Sequence, residues 1–361
     1  MPQRPSLNTP RTIEKMRDYL RSMYGASPVV VSGPCSAESE GQVLETAHAL
    51  SALGVKVFRA GLWKPRTHPG GFEGVGTVGL PWLQRVKRET GMLIATEVAT
   101  PQHVELALEG GIDIFWIGAR TTANPFAVQQ IADALHGHDV PVLIKNPMSP
   151  DVELWIGAMQ RLQESGITRI GAVHRGFTPT TEQDLYRNTP HWDIAIELKR
   201  RYPTLCILCD PSHIAGKREL VGTLSRQAIS MGFDGLFIEA HCSPEKALSD
   251  ARQQLTPYEL SCLMTQLHPR HGDAVGAELE QLRQRIDECD RELVNLLARR
   301  MAVVREIGQY KQAHQVPVVQ ASRFDAVLRR AIELARSEGM SEAFITAVMH
   351  AIHEEAVRQQ I

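Results

Sequence analysis

Pro28-Val29-Val30-Val31-Ser32-Gly33-Pro34-Cys35-Ser36-Ala37-Glu38 reads as a strand that is cut off abruptly. Three consecutive valines suit a short buried strand, Gly33-Pro34 ends it, and Cys35 stands just past its C-terminal end. The same arrangement recurs through the first two-thirds of the chain: an apolar run, a stop, then a polar or reactive residue. Strands are expected at 28–32, 55–59, 92–97, 114–118, 141–145, 168–173, 204–209 and 235–239, separated by helix-compatible segments. Eight βα units imply an α/β fold, a closed (β/α)8 barrel whose chemistry collects where the strands end. That face gathers Cys35, Arg59, Lys64, Glu97, Arg120, Lys145, Arg175, Asp210, His213 and Glu239.

A barrel of about 250 residues leaves a remainder in a chain of 361. Residues 1–27 read as a helical extension, with Ile13, Met16, Leu20 and Met23 at helical spacing, that covers the barrel bottom or joins an interface. The barrel takes residues 28–267, ending in a helix over roughly 244–268. Residues 268–277, with proline, two glycines and no apolar periodicity, read as a linker. Residues 278–361 form an all-helical domain. One helical pattern runs from Glu278 to about Gln312 with its apolar stripe on Leu279, Leu282, Ile286, Leu293, Leu296, Leu297, Val304 and Ile307. Pro317 interrupts it, Ser322 is positioned to cap a helix over 323–337, and Ser341 another over 342–360. A helix this long in so small a domain points to a bundle shared between chains, hence a homodimer through the helical domain.

A net charge of −2 gives no case for nucleic-acid or membrane partners, and no apolar run or signal core suggests a span or a leader, so a cytoplasmic protein is expected. The six cysteines show no disulfide-scaffold spacing. Cys206 and Cys209 form a C-x-x-C on a strand, where positions three apart face opposite ways; two core thiols are expected there, not a redox or zinc pair.

Cys35, His213, Glu239 and Asp250 lie on separate barrel loops. A thiolate, an imidazole and two carboxylates can hold a divalent transition metal and leave room for water or substrate. Cations from several strand ends, Arg59, Lys64, Arg66, Arg120, Lys145 and Arg175, form a convergent set fit for more than one anionic group. The glycine-rich loop Gly70–Gly76 is placed to close over such a substrate.

Gly33-Pro34-Cys35-Ser36, Lys64-Pro65-Arg66-Thr67, Gly118-Ala119-Arg120, Lys145-Asn146-Pro147, His174-Arg175-Gly176, Asp210-Pro211-Ser212-His213 and Glu239-Ala240-His241 resemble, in this order, the type I beta 3-deoxy-D-arabino-heptulosonate 7-phosphate (DAHP) synthases. The resemblance implies condensation of phosphoenolpyruvate with erythrose 4-phosphate. It assigns Cys35, His213, Glu239 and Asp250 to a divalent metal: Mn2+ first, with Co2+, Fe2+, Zn2+ or Cd2+ as alternatives. It assigns Arg59, Lys64, Arg120, Lys145 and Arg175 to phosphoenolpyruvate, and Lys64, Pro65, Arg66 and Thr67 to erythrose 4-phosphate. Lys64, Lys145 and Glu97 are the expected catalytic residues, Glu97 by positioning the water that adds at C2. The rival on the same barrel is 3-deoxy-manno-octulosonate 8-phosphate synthase, whose members carry a Lys-Ala-Asn-Arg-Ser type of motif in place of Lys64-Pro65-Arg66-Thr67. A Schiff-base aldolase using Lys145 would leave the four metal-type residues without a shared purpose.

The tail, through Leu282-Arg283, Leu296-Leu297-Ala298-Arg299-Arg300 and Gly308 to Lys311, resembles the all-helical chorismate mutases. By position, Arg283, Arg300, Lys311, Arg323 and Gln360 would bind chorismate and prephenate, with Lys311 and Gln360 at the ether oxygen. Gln320, Phe324 and Ala356 depart from that pattern, where an acidic residue, a glutamate that meets the substrate hydroxyl and a serine are common. Arg300 and Lys311 fall on nearly one face about 16 Å apart, whereas Arg283 lies roughly 25 Å from Arg300 and turned by about 100°. A second chain would have to supply it. Feedback on the synthase by prephenate or chorismate is expected, the alternative being a tail that only regulates or dimerises.

Overall fold

The computed structural model describes residues 10–64, 70–179, 185–267, 277–318 and 321–360. Eight parallel strands close into a barrel: β1 Val29–Gly33, β2 Val57–Arg59, β3 Leu93–Glu97, β4 Ile114–Ile117, β5 Val142–Lys145, β6 Ile170–His174, β7 Cys206–Cys209 and β8 Gly235–Glu239. Each strand pairs with the next, and β8 returns to β1 with Gly33 beside Glu239. All eight expected strands are present. Their apolar runs are continuous because both faces are covered, one by the barrel interior and one by the helices.

The period of two sorts each strand between those faces. Val29, Val31, Val57, Ala95, Ile114, Trp116, Leu143, Val173, Cys206, Leu208 and Phe237 fill the interior. Their neighbours Val30, Phe58, Ile94, Phe115, Ile117, Ile144, Ile207 and Cys209 pack outward under the helices. Cys206 and Cys209 therefore separate as the alternation requires, and burial raises both thiols above their ordinary pKa.

The helix Pro10–Tyr24 covers the barrel bottom, the first of the two places open to it. Met16 and Leu20 are fully buried in the interior cluster. Arg17 fixes the helix by donating to the carbonyls of Leu205 (2.8 Å) and Pro203 (3.0 Å) and by pairing with Asp234 (2.8 Å).

The single helix expected over 244–268 is absent. A short turn, Pro244–Lys246, is followed by an irregular run, and a helix begins only at Pro257 and ends at Met264. Thr256 and Glu259 form a reciprocal capping box that fixes this start. The irregular run before it is drawn towards the barrel mouth, with Asp250 at φ 50°, a left-handed conformation uncommon for aspartate.

The chain divides into two units, residues 1–271 and 272–361. The second contains helices Ala277–Ala313, Ala321–Ser337 and Glu342–Arg358. Residues 268–276 of the expected linker lie outside the described residues, and residue 277 already begins the long helix. The Ala321 helix starts ahead of Ser322, whereas Ser341 does cap its helix, accepting from the Phe344 amide at 3.3 Å. Among the described residues no helix is long and apolar enough to cross a membrane.

Candidate active sites

Two residues beyond the interior layer of each strand, the side chains change character. Arg59 follows Val57, Glu97 follows Ala95, Lys145 follows Leu143, Arg175 follows Val173, Asp210 follows Leu208 and Glu239 follows Phe237. The same alternation that points the layer below inward points these into the barrel mouth. Glycines occupy the corresponding places on β1 and after β4, and neither has room for more. A Cβ on Gly33 would meet the Arg59 carbonyl oxygen at 2.0 Å, and one on Gly118 would meet Glu97 Oε1 at 2.2 Å.

Cys35, Glu239 and Asp250 bring their ligand atoms within 4.8 Å of one another. The fourth expected ligand, His213, faces the same point, with Nε2 3.5 Å from Asp250 Oδ2 and 3.8 Å from Glu239 Oε1. The short helix Pro211–Ala215 carries it, capped by Asp210, whose Oδ1 accepts from the His213 amide at 3.1 Å. Asp210 Oδ2 also lies 2.8 Å from His213 Nδ1, which fixes the ring and leaves Nε2 directed at the cluster.

Burial and the nearby Glu239 push the Cys35 thiol up to about 12. Its sulfur lies 3.2 Å from Lys64 Nζ and donates to Asp250 Oδ2 at 3.4 Å. Burial opposes the charge on Glu239 and Asp210. His213 and Arg59 outweigh it at Glu239, and His213 and Lys145 at Asp210, so both carboxyls titrate below their ordinary range. A protonated thiol among two carboxylates and an imidazole is a donor set that a divalent cation satisfies by displacing the thiol proton. The four residues fit such an ion.

Arg59 is 1% exposed, lies over the rings of Phe237 (4.5 Å) and Trp116 (4.9 Å), and donates to Glu239 Oε1 at 3.2 Å. Its Nε and Nη1 are buried without a hydrogen-bond partner, which is the condition of a guanidinium awaiting an anion. Lys145 pairs with Asp210 at 2.8 Å. Arg175 donates to Asn188 Oδ1 at 2.7 Å, and burial brings it down to about 10. Arg120 is exposed on the short helix Ala119–Thr122, close enough for its charge to act on Arg175. Glu97 accepts from Trp116 Nε1 at 3.1 Å and acts electrostatically on Lys64. Pro65, Arg66 and Thr67 lie outside the described residues. The Gly70–Gly76 loop is tied to the backbone beside Lys64, whose amide donates to the Glu73 carbonyl at 2.7 Å.

Three participants carried no signal of their own in the sequence. Arg187 Nη1 donates to Asp250 Oδ1 (2.9 Å) and to Gln253 Oε1 (2.7 Å). Gln253 Nε2 donates in turn to Glu239 Oε2 at 2.7 Å. Gln254 accepts from the Cys35 amide at 2.9 Å. The two glutamines became visible as site residues only once the stretch before Pro257 proved irregular.

The helical unit holds a separate cleft of about 320 Å³, lined by Arg300, Lys311, Arg323, Phe324, His353, Ala356 and Gln360 among others. Lys311 Nζ donates to Gln360 Oε1 at 3.0 Å and to the Val318 carbonyl at 2.7 Å. Gly308 lets the helices close here, since a Cβ on it would stand 3.1 Å from Gln360 Cα. Arg300 Nη1 is buried without a partner. Arg283 does not line the cleft; it is exposed and 3.6 Å from Glu280. Gln320 lies outside the described residues.

The model of the DAHP synthetase I family matches residues 18–271, and that of chorismate mutase type II matches residues 282–361. A phospho-2-dehydro-3-deoxyheptonate aldolase of Thermotoga maritima is 38% identical over 251 residues, covering 69% of this chain and 71% of its own. A 2-dehydro-3-deoxyphosphooctonate aldolase of Nitratidesulfovibrio vulgaris is 29% identical over 274 residues, 69% of this chain and 94% of its own. The crystal structure of a Thermotoga maritima DAHP synthase superposes with a TM-score of 0.60 at 35% identity, over 67% of this chain and 68% of that one.

Proposed function

Because the chain belongs to the DAHP synthetase I family over residues 18–271 and carries a type II chorismate mutase domain over 282–361, we propose that one polypeptide performs both reactions at the sites described. The barrel joins C3 of phosphoenolpyruvate to the aldehyde carbon of erythrose 4-phosphate, adds water at C2 and releases phosphate. The helical domain rearranges chorismate to prephenate. The observation that carries the barrel reading is the top layer itself, a four-residue donor set beside a buried Arg59 with two unpartnered nitrogens.

Cys35, His213, Glu239 and Asp250 would hold the divalent ion, with Mn2+ the proposed occupant. When bound, such an ion supplies Lewis-acid polarisation of the aldehyde oxygen. The chain's own residues do the rest. Arg59, Lys64, Arg120, Lys145 and Arg175 hold the phosphate and carboxylate of phosphoenolpyruvate. Asp210 holds the Lys145 ammonium in place at 2.8 Å and offsets part of the burial that lowers its pKa. Glu97, fixed by Trp116, orients the water that adds at C2. The four-carbon sugar is favoured by Lys64-Pro65-Arg66-Thr67 and by the stronger likeness to the heptonate than to the octonate relative.

In the helical domain, Arg300, Lys311, Arg323 and Gln360 supply fixed positive charge and hydrogen bonds, which suffice for a rearrangement that uses no nucleophile. The long helix leaves Leu279, Leu282, Ile286, Leu293 and Leu296 between 45% and 60% exposed. A second copy covering this stripe would bring its Arg283 to the cleft and complete the homodimer. A cleft that binds prephenate also gives the synthase a sensor for feedback.

The test is a paired assay on the purified chain. Cys35→Ala and His213→Ala should each nearly abolish DAHP formation and leave chorismate turnover intact; a chelator should copy the effect and added Mn2+ reverse it. Full synthase activity in metal-free protein rejects the ligand assignment, and a higher kcat/KM with arabinose 5-phosphate makes the octulosonate synthase the right reading. Arg283→Ala and Lys311→Ala, each inactive alone as a mutase, should regain about a quarter of wild-type activity after co-refolding, because random C2 pairing leaves one intact pocket in half the molecules. Prephenate should slow the synthase less in Lys311→Ala than in wild type.

A further inference from the structure

We propose that His353 accepts the hydrogen bond of the ring hydroxyl of chorismate in the helical cleft, a role that rests on the mutase reading above. Chorismate carries two carboxylates, an ether oxygen and one ring hydroxyl. The carboxylates and the ether oxygen call only for donors, and the cleft is rich in them. The hydroxyl proton calls for an acceptor. Arg300, Lys311 and Arg323 have none to offer. Gln360 has its amide oxygen engaged by Lys311 Nζ (3.0 Å) and donates its amide nitrogen to the Ala356 carbonyl (3.0 Å). Among the described residues no carboxylate lines the cleft, and the other lining side chains are apolar. Among the described lining residues, His353 is the side chain whose acceptor is wholly unengaged, whereas the Gln360 oxygen already serves Lys311.

Its placement suits the task. His353 stacks face to face on Phe324, with centroids 4.1 Å apart and planes inclined by 26°. Stacking occupies the ring's face and leaves the nitrogens, which lie in its plane, at the edge. Neither has a hydrogen-bond partner among the described residues, and the residue is part-exposed at the cleft wall. The side chains of Phe324 and Ala356, which also line the cleft, offer no acceptor. Phe324 instead holds the imidazole in register.

The experiment compares chorismate with its analogue lacking the ring hydroxyl. His353→Ile should lower kcat/KM for chorismate about 3- to 10-fold, the worth of one neutral hydrogen bond, and change the analogue less than 2-fold. His353→Gln, which keeps an acceptor, should recover most of the loss. Phe324→Glu in the His353→Ile background should recover it as well, by putting a carboxylate acceptor in the same wall. Helical circular dichroism and the unfolding midpoint verify that each variant is folded. Equal losses on both substrates would make His353 a packing residue, and no loss on chorismate would place the acceptor elsewhere; either overturns the proposal. No chorismate turnover by the wild-type chain would instead count against the mutase reading itself, and the proposal would fall with it.

Discussion

Gln253→Met isolates the support of the metal-type carboxylates from the carboxylates themselves. Gln253 is 1% exposed and links Glu239, through Nε2 at 2.7 Å, to Arg187, through Oε1 at 2.7 Å. Methionine keeps the length and removes both hydrogen bonds. The bond to a buried carboxylate is worth about 1.5–3 kcal/mol. That equals roughly 10- to 100-fold in an equilibrium constant, the usual cost of losing a residue that orients a metal ligand. Arg187→Met should cost less, about 5-fold or under, although it severs the bonds to Asp250 and Gln253. Its side chain is 45% exposed, so water substitutes and solvent screens the pair. Calorimetric titration of chelator-stripped protein with Mn2+ reads both, and the metal-induced rise in the barrel's melting temperature gives a second measure. An unchanged affinity in Gln253→Met, or a loss no larger than that of Arg187→Met, would show that Gln253 does not set the position of Glu239.

Gly118→Ala tests Glu97 without touching it. The backbone there, φ −73° and ψ 159°, suits alanine, so the added methyl costs only its clash with Glu97 Oε1 at 2.2 Å. Synthase kcat should fall about 100-fold, the scale of a misplaced positioning group, Glu97→Gln should fall similarly, and the double variant should be no worse than either; additive losses would separate the two residues. His174 is fully buried among Trp155, Phe177, Trp192 and Phe233, and burial depresses it to about 3. The unfolded chain, with an ordinary pKa of about 6.5, takes up a proton that the folded chain refuses. Barrel stability from this group is therefore whole above that pH and declines by about 1.4 kcal/mol per unit below it, until pH approaches the folded value. Urea unfolding at pH 7 and pH 5 should show His174→Phe losing roughly 2 kcal/mol less than wild type between them; equal losses would refute the assignment.

The eight strands were legible because each is a short apolar run ended by glycine, proline or charge, and closure followed from their number. The candidate site was legible for a related reason. Arg59, Lys145 and Glu239 each end a strand, so the property that marks the end also marks the inward position. What could not be read lay off the strands. Asp250 was singled out as a loop residue, yet the helix expected over roughly 244–268 overlaps it, and its φ of 50° excludes a helix at that point. Gln253 and Gln254 are unremarkable polar residues until the loop is bent. Arg187 is separated from Asp250 by 63 residues, and no local pattern announces such a pair. The N-terminal helix had a clear apolar face but two possible partners. The choice rested on Arg17 meeting carbonyls at Pro203 and Leu205, a contact 188 residues distant in the second case.

The two sites differ in how their charge is arranged, and the difference follows from their chemistry. In the barrel mouth, the described acids and bases are interlocked: Arg59 with Glu239, Lys145 with Asp210, Arg187 with Asp250. Each pair offsets the burial of its members, and the buried atoms left over, Arg59 Nε and Nη1, mark where incoming anion is needed. A reaction that gathers two phosphorylated substrates and releases phosphate needs cations that stay fixed when no ligand is present, and paired carboxylates fix them. The helical cleft has no carboxylate among its described lining residues. There Arg300, Lys311 and Arg323 line one cleft, and among the described residues Gln360 and the Val318 carbonyl hold Lys311. Such a cleft is completed by a ligand that carries the missing negative charge, which makes dicarboxylate binding itself a stabilising event. Saturating prephenate should therefore raise the melting temperature of the helical unit, and the rise should shrink in 0.5 M salt compared with 0.05 M, since screening weakens part-exposed charge pairs most. A salt-independent rise would place the binding energy in the apolar wall around Phe324 instead of in the three cations.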